Sequence, residues 1–303
     1  MVDNFNQPIV EALTRTTINI PPDKGLWQHA CYRFRCNRLA MFSLLLLLLV
    51  VAWTLLVPLF SPFGYDEIDW KNFWLQPNFT SGHYFGTDIL GRDLLVRTAI
   101  GGCISLSIGI IGAMTVVLIG TFYGIFSGYF GGWITTIIWN VLEILDTIPL
   151  IFLVTFLATY FTHSILPIFF IISAFYCFNI ARIVRGQTYN LKQKVFILTA
   201  TVSGTTSINI IMRHIFPNVL GISLVHGSLL ISPMILFESS ISFLGVGVQE
   251  PLVSLGSLIQ SATGTLEYAP WNLLFPGSYL ALILWCFNII SDALRDALDP
   301  QNY

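Results

Sequence analysis

Long apolar runs separated by short polar connections dominate this chain, and six of them set its outline, at about 39–60, 101–126, 133–161, 165–188, 219–246 and 272–293. Each run reaches the roughly 20 residues that a helix needs to cross the hydrocarbon of a bilayer. Backbone amides in lipid must be paired within their own segment, so each run predicts a transmembrane helix. Gly109, Gly112, Gly120, Pro149 and Pro233 fall inside these runs, which membrane helices tolerate. Gly120 with Gly124, and Gly109 with Gly112, predict places where two helix backbones approach closely.

A different pattern precedes the first run. In LWQHACYRFRCNRLAM, Leu26, Trp27, Ala30, Cys31, Phe34 and, less regularly, Ala40 form an apolar stripe, with Gln28, His29, Arg33 and Arg35 mostly off it. The stripe predicts a basic amphipathic helix at the membrane surface; a solvated leader is the alternative. The run from Leu39 to Phe60 is too long and too far from the start for a secretory signal and reads as a first span.

Composition agrees with the pattern. Of 303 residues, 55% are hydrophobic and 10% charged, and mean hydropathy is +0.75; soluble domains carry roughly 25% charged residues. The placement of charge then orients the chain. Arg15, Lys24, Arg33, Arg35 and Arg38 precede the first span, and Arg182, Arg185, Lys192, Lys194 and Arg213 cluster around the fourth-to-fifth connection. The first-to-second connection is acidic, with Asp66, Glu67, Asp69, Asp88 and Asp93 against Lys71, Arg92 and Arg97, and the loop after the fifth span has Glu250 and Glu267 without a base. Basic residues collect on the cytoplasmic side, which predicts cytoplasmic termini in a multi-pass inner-membrane protein. Residues 1–38 read as a cytoplasmic segment with an interfacial helix, 39–60 as the first span and 61–100 as a periplasmic loop. Residues 101–293 form a five-span core containing the cytoplasmic loop 189–218, and 294–303 form a cytoplasmic tail.

Little in the chain points to catalysis. There is no GxxxxGK[ST], HExxH or GxSxG, so it has no P-loop of its own for ATP phosphates. Basic runs are too short to suggest a nucleic-acid partner. Cys31, Cys36, Cys103, Cys177 and Cys286 are dispersed, and His29, His83, His163, His214 and His226 lie far apart; neither set predicts a disulfide framework or a metal site. Glu143, Asp146 and Glu238 fall within spans and must face the bundle interior, a wet cavity or a partner. They suit either an ion-coupled secondary carrier or helix packing. Ser228, Ser232, Glu238 and Ser239 share helical spacings in the fifth span; they read equally as the lining of a path and as packing groups.

Between the fourth and fifth spans lies KVFILTATVSGTTSINIIMRHIFPNV, Lys194 to Val219, with three bases and no acid. Val195, Ile197, Leu198, Ala200 and Val202 predict a short helix that bends at Gly204. Thr205, Thr206 and Ser207 predict the cap of a second short helix, and Pro217 its end or the start of the next span. The apolar residues of this lobe need cover from the bundle or from a soluble cytoplasmic partner.

Gly204 followed thirteen residues later by Pro217 resembles the cytoplasmic coupling loop of ATP-binding-cassette importer permeases, usually E-A-A-x-x-x-G-x9-I-x-L-P. HYFGTDILGRDLLVRTAIGG, ARIVRGQTYNLK, RHIFPNVLG, ILFESSISFLGVGVQEPL and DALRDALDP are similar to the peptide, nickel and glutathione permeases of that class, most closely to the oligopeptide ones. The resemblance runs in order over nearly the whole chain. It implies an all-α, MetI-like fold of six transmembrane helices, a second homologous permease subunit, two cytoplasmic ATPases that carry ATP and Mg, and an external peptide-binding protein. No cofactor is implied on this chain. Thr199, Ala200, Gly204, Arg213 and Pro217 would form the ATPase-coupling loop, with Leu198 where the family has its glutamate. That replacement removes a charge-assisted hydrogen bond worth roughly 1.5–3 kcal/mol, although a leucine packed in an apolar part of a groove offsets some of the loss. His214 also stands where the general pattern has isoleucine.

Overall fold

The computed structural model describes residues 26–158 and 165–298. The leader's Arg15 and Lys24, residues 159–161 of the third expected span, and the last five residues of the tail lie outside the described residues. Among the described residues the chain is helical apart from loops and one isolated antiparallel bridge between Thr87 and Asp93.

The segment that carries the apolar stripe is α1, Leu26–Cys36. Asn37 then separates it from α2, Arg38–Phe60, and caps α2 with its side-chain oxygen, which accepts from the Leu39 and Ala40 amides. Ala30 is buried and Phe34 half-buried, as the stripe requires, whereas Cys31 is exposed. α1 packs against the last helix, α10, Trp271–Leu298, so its inner face is covered by protein. α2 is peripheral, and its buried positions are Ala40, Ser43, Val50 and Thr54.

The core is built on α3, Leu94–Phe130, whose 37 residues give a rod about 55 Å long at 1.5 Å per residue. Its main neighbour is α6, Ile165–Lys192. Glycine sets that contact. A Cβ on Gly120 would sit 2.9 Å from the Cys177 carbonyl oxygen, one on Gly124 2.7 Å from Val184 Cβ, and one on Gly128 2.8 Å from the Arg185 carbonyl oxygen. The expected pair at Gly120 and Gly124 is therefore a three-step ledge. The second patch packs on α8, Ser207–Phe243: Gly109 meets Ile235 and Gly112 meets Met234.

Among the described residues, five helices are long and apolar enough to cross a membrane: α2, α3, Phe169–Lys192 of α6, α8 and α10. The run 133–161, expected as one helix, is instead broken into α4, Trp133–Asp146, and α5, Leu150–Ala158. Pro149 sits at the break, where it lacks an amide proton to continue the ladder, and its carbonyl accepts from the Phe152 amide to begin α5. Two further corrections concern α8. It begins at Ser207, well before the expected 219, so the second short helix of the lobe is continuous with the span. Pro217 neither ends that helix nor starts a new one; it lies within the rod, just after a π turn at Ile211–Ile215. A proline ring clashes with the carbonyl four residues earlier in a regular α-helix, and the wider π turn relieves that crowding.

The loop after α8 contains α9, Leu255–Thr263. Ser254 and Ser257 form a reciprocal cap at its start. Gly256 lies on the Ser239 backbone, and the Ser254–Leu255 peptide lies on Gly101, so this short helix wedges between α3 and α8.

Substituting Gly124→Leu is expected to force α3 and α6 apart and cost about 1–3 kcal/mol, as overpacking does. Gly221→Ala is the matched control, since nothing lies within 4 Å of its added Cβ. Thermal unfolding of the purified protein by loss of helical circular dichroism separates them: a lower midpoint for the first and none for the second.

Candidate functional site

The lobe between α6 and α8 starts from a tight turn in which the Lys194 amide donates to the Leu191 carbonyl at 2.9 Å. α7, Val195–Val202, follows. It ends in a two-bond reversal: the Thr205 amide donates to the Ala200 carbonyl and the Gly204 amide to the Thr201 carbonyl, both at 3.1 Å. This C-terminal motif needs a left-handed residue, and Gly204 supplies it with φ +78°. Thr206 takes the extended cap conformation ahead of α8 without a side-chain capping bond.

Ile197, Ile210, Ile211 and Ile215 are buried in one cluster with Ile125 and Tyr129 of α3 and Val184 of α6. The Phe196 and His214 rings face each other across the lobe at 6.2 Å. The lobe is thus rooted in the ledge-packed helices. Its outer side is apolar and uncovered. Val195, Leu198 and Val202, three and four residues apart and so on one helix face, are 78%, 53% and 89% exposed, and Ile208 and Met212 add to the patch. Thr199, Gly204, Arg213 and Pro217 are also exposed, and Ala200 is half-buried. The six residues picked out in the sequence therefore share one small lobe.

The other expected constellation falls elsewhere. Glu238 is 1% exposed. Its carboxylate accepts from Ser105 Oγ of α3 at 2.8 Å, from Ser242 Oγ at 2.7 Å and from Ser239 Oγ at 3.4 Å. Ser105 Oγ in turn accepts from the Leu255 amide of α9, and Ser242 Oγ from the Val248 amide. A buried carboxylate here ties three helices and a loop together, satisfying its lone pairs as burial demands. Ser232 is buried, with its hydroxyl 3.4 Å from the Leu284 carbonyl, and the half-buried Ser228 accepts from Ser291 Oγ at its carbonyl. Asp146 pairs with Arg182 at 3.0 Å near the surface, and Glu143 is exposed.

A charge knot that charge counting alone does not reveal closes the opposite end of the bundle. Arg92 and Arg97 are both buried. Arg92 donates to Asp88 at 2.8 Å and to Glu250 at 2.7 Å, and Arg97 reaches Glu250 at 3.4 Å and Asp88 at 3.5 Å. The pairing joins the loop 61–93 to the loop after α8. Nearby, His83 Nδ1 lies 2.8 Å from Asp93, whose other oxygen caps α3 by accepting from the Val96 amide. Burial lowers the Arg92 pKa, but Glu250 and Asp88 outweigh it and raise the value overall. The hydrogen bond from Arg92 holds the Glu250 carboxyl below its ordinary 4.5.

The motifs, the multi-span bundle and a partly uncovered lobe together define the membrane component of an importer, and comparison with known proteins agrees. The model for the binding-protein-dependent transport system inner membrane component matches residues 120–302, and that for the N-terminal TM domain of oligopeptide transport permease C matches residues 25–77. The chain belongs to this family of ATP-binding-cassette importer permeases. It is 50% identical over 279 residues, 92% of each chain, to the oligopeptide transport system permease protein OppC of Escherichia coli K12. The proteins of the same name from Haemophilus influenzae and Bacillus subtilis are 48% and 36% identical, over 92% and 91% of this chain and 90% of each relative.

Gly204→Val is expected to strain the end of α7 by roughly 1–2 kcal/mol, read as about tenfold faster hydrogen exchange of the α7 amides. The Glu250 clamp has a calculable sign. Because its folded pKa is depressed, its contribution is present above the ordinary glutamate value of 4.5 and is lost as pH falls below it. Limited proteolysis of the loop 61–93 should accelerate as pH falls through that range, and Glu250→Gln should be cleaved faster at neutral pH with a flatter dependence.

Proposed function

We propose that this chain is the permease subunit of an ATP-driven oligopeptide importer, in which it forms half of the translocation path with a second, homologous permease. Two cytoplasmic ATPases hydrolyse ATP with Mg, and an external binding protein delivers the peptide. The termini and the lobe face the cytoplasm, in keeping with the positive charge gathered there. The name of relatives 50% identical to this chain supports the peptide cargo. The observation that carries the coupling role is the uncovered stripe Val195, Leu198 and Val202 on a lobe whose inner side is rooted in α3 and α6.

Leu198 takes its meaning from that stripe. It stands among apolar neighbours rather than alone in a polar groove, so it docks by burial. Leu198 is 53% exposed, so docking adds about half of the 1.5–3 kcal/mol of a fully buried leucine and offsets part of the charge-assisted bond that the family's glutamate would make. The departure from the family pattern is thus a change of chemistry at one contact, with the docking retained.

Reconstitution of this chain with its second permease, ATPases and binding protein should give peptide uptake that needs ATP; uptake by this chain alone would end the proposal. In the same system Leu198→Asp should lower peptide-stimulated ATP hydrolysis about tenfold, the equivalent of roughly 1.4 kcal/mol. Leu198→Glu should give no gain. A large gain on restoring the glutamate would mean that the present lobe couples poorly.

A further inference from the structure

We infer that α3, α4 and α6 together form a binding site for one anionic phospholipid of the inner leaflet. Two adjoining cavities carry the inference. The first is an apolar trench of 380 Å³ lined by Ile119 and Tyr123 of α3, Leu142 of α4, and Phe170, Ala174 and Cys177 of α6. The second is a cup, also of 380 Å³, at the end of the same helices, where Arg182, Arg185, Tyr189 and Lys192 of α6 meet Gly128 and Gly131.

The two are one feature in register. On α6 the lining positions continue as Phe170, Ala174, Phe178, Arg182, Arg185 and Tyr189, a spacing of three and four that keeps them on one face. From Phe170 to Arg185 the helix rises about 22 Å. Half of a bilayer, headgroups included, is about 20–22 Å thick. A lipid with its chain end beside Phe170 therefore brings its phosphate to Arg185.

The charge of the cup selects an anion. Three cations face one carboxylate: Arg182 is paired with Asp146 at 3.0 Å, and Lys192 donates to the Tyr129 carbonyl at 2.7 Å, which leaves its charge in place. The Arg185 guanidinium lies over the Trp139 ring at 4.8 Å and has no carboxylate partner among the described residues. Trp139 in turn packs on Tyr123 at 5.9 Å. The indole Nε1 of Trp139, a residue 3% exposed, and the Tyr123 hydroxyl are buried and have no hydrogen-bond partner among the described residues. Tyr123 lines the trench, and Trp139 packs between it and Arg185 of the cup. A free phosphate satisfies only the cup; a phospholipid fits both cavities.

The inference rests on the orientation proposed above, which puts the cup on the cytoplasmic side. The test uses the assembled importer in phosphatidylcholine nanodiscs that contain a lipid with a photoreactive acyl chain, bearing either a phosphatidylglycerol or a phosphatidylcholine head. The phosphatidylglycerol probe is expected to label the trench peptides about fivefold more, the scale of one basic residue at an anionic surface. Arg185→Gln should bring it down to the phosphatidylcholine level, and Lys192 is left intact because of its bond to Tyr129. Equal labelling by the two heads, labelling indifferent to Arg185→Gln, or displacement by millimolar inorganic phosphate would each overturn the lipid site. Crosslinks from the trench to the second permease in place of lipid would also overturn it. Peptide uptake by the same preparation and labelling of Tyr189→Cys with a membrane-impermeant thiol reagent test the function and the orientation separately.

Discussion

Helices surrounded by lipid gain little from burying apolar surface against one another, so their association depends on close backbone contact and on a few internal polar bonds. The ledge of Gly120, Gly124 and Gly128 meets that constraint for α3 and α6. Without side chains at those steps, the α6 backbone and the side chains of Ile180 and Val184 fit directly against α3. The lobe follows from this contact. α6 leads through the turn at Leu191–Lys194 into α7, and the isoleucines that seat the lobe pack onto the same ends of α3 and α6.

Polar groups complete what the glycines begin. The Glu238 carboxylate with its serines joins α3, α8 and α9 inside the bundle, and the Arg92, Arg97, Asp88 and Glu250 knot joins the two loops at the far end. Between these fixed points and the lobe, α8 has a π turn followed by Pro217, and Pro233 lies further along. Those are the places where its hydrogen-bond ladder is widened or interrupted. In the proposed importer, a push on α7 would enter α8 at the π turn, while the Glu238 knot holds the distant half of the rod.

Much of this could be read from the chain itself. The apolar runs mark the spans because hydropathy over some twenty residues is a strong, local signal. Gly204 announces the reversal after α7, since few other residues adopt its φ without strain. Other features depend on partners distant in sequence. Arg92 and Glu250 are 158 residues apart, and their charges entered the sequence reading only as a count. α9 has nine residues, too few to span and too mixed to stand out from a loop. The break at Pro149 and the π turn before Pro217 are decided by how neighbouring helices accommodate a missing amide, which the pattern of one segment does not specify.

The central claim is that the uncovered face of α7 is the surface on which an ATPase acts. The most direct measurement is thiol crosslinking from Thr199→Cys in the assembled complex, followed through the nucleotide cycle. The account predicts a crosslink to an ATPase subunit whose yield changes between the nucleotide-free and ATP-bound states. Crosslinks confined to this chain or to the second permease, or reaction of Thr199→Cys with a reagent restricted to the outside of the cell, would contradict it.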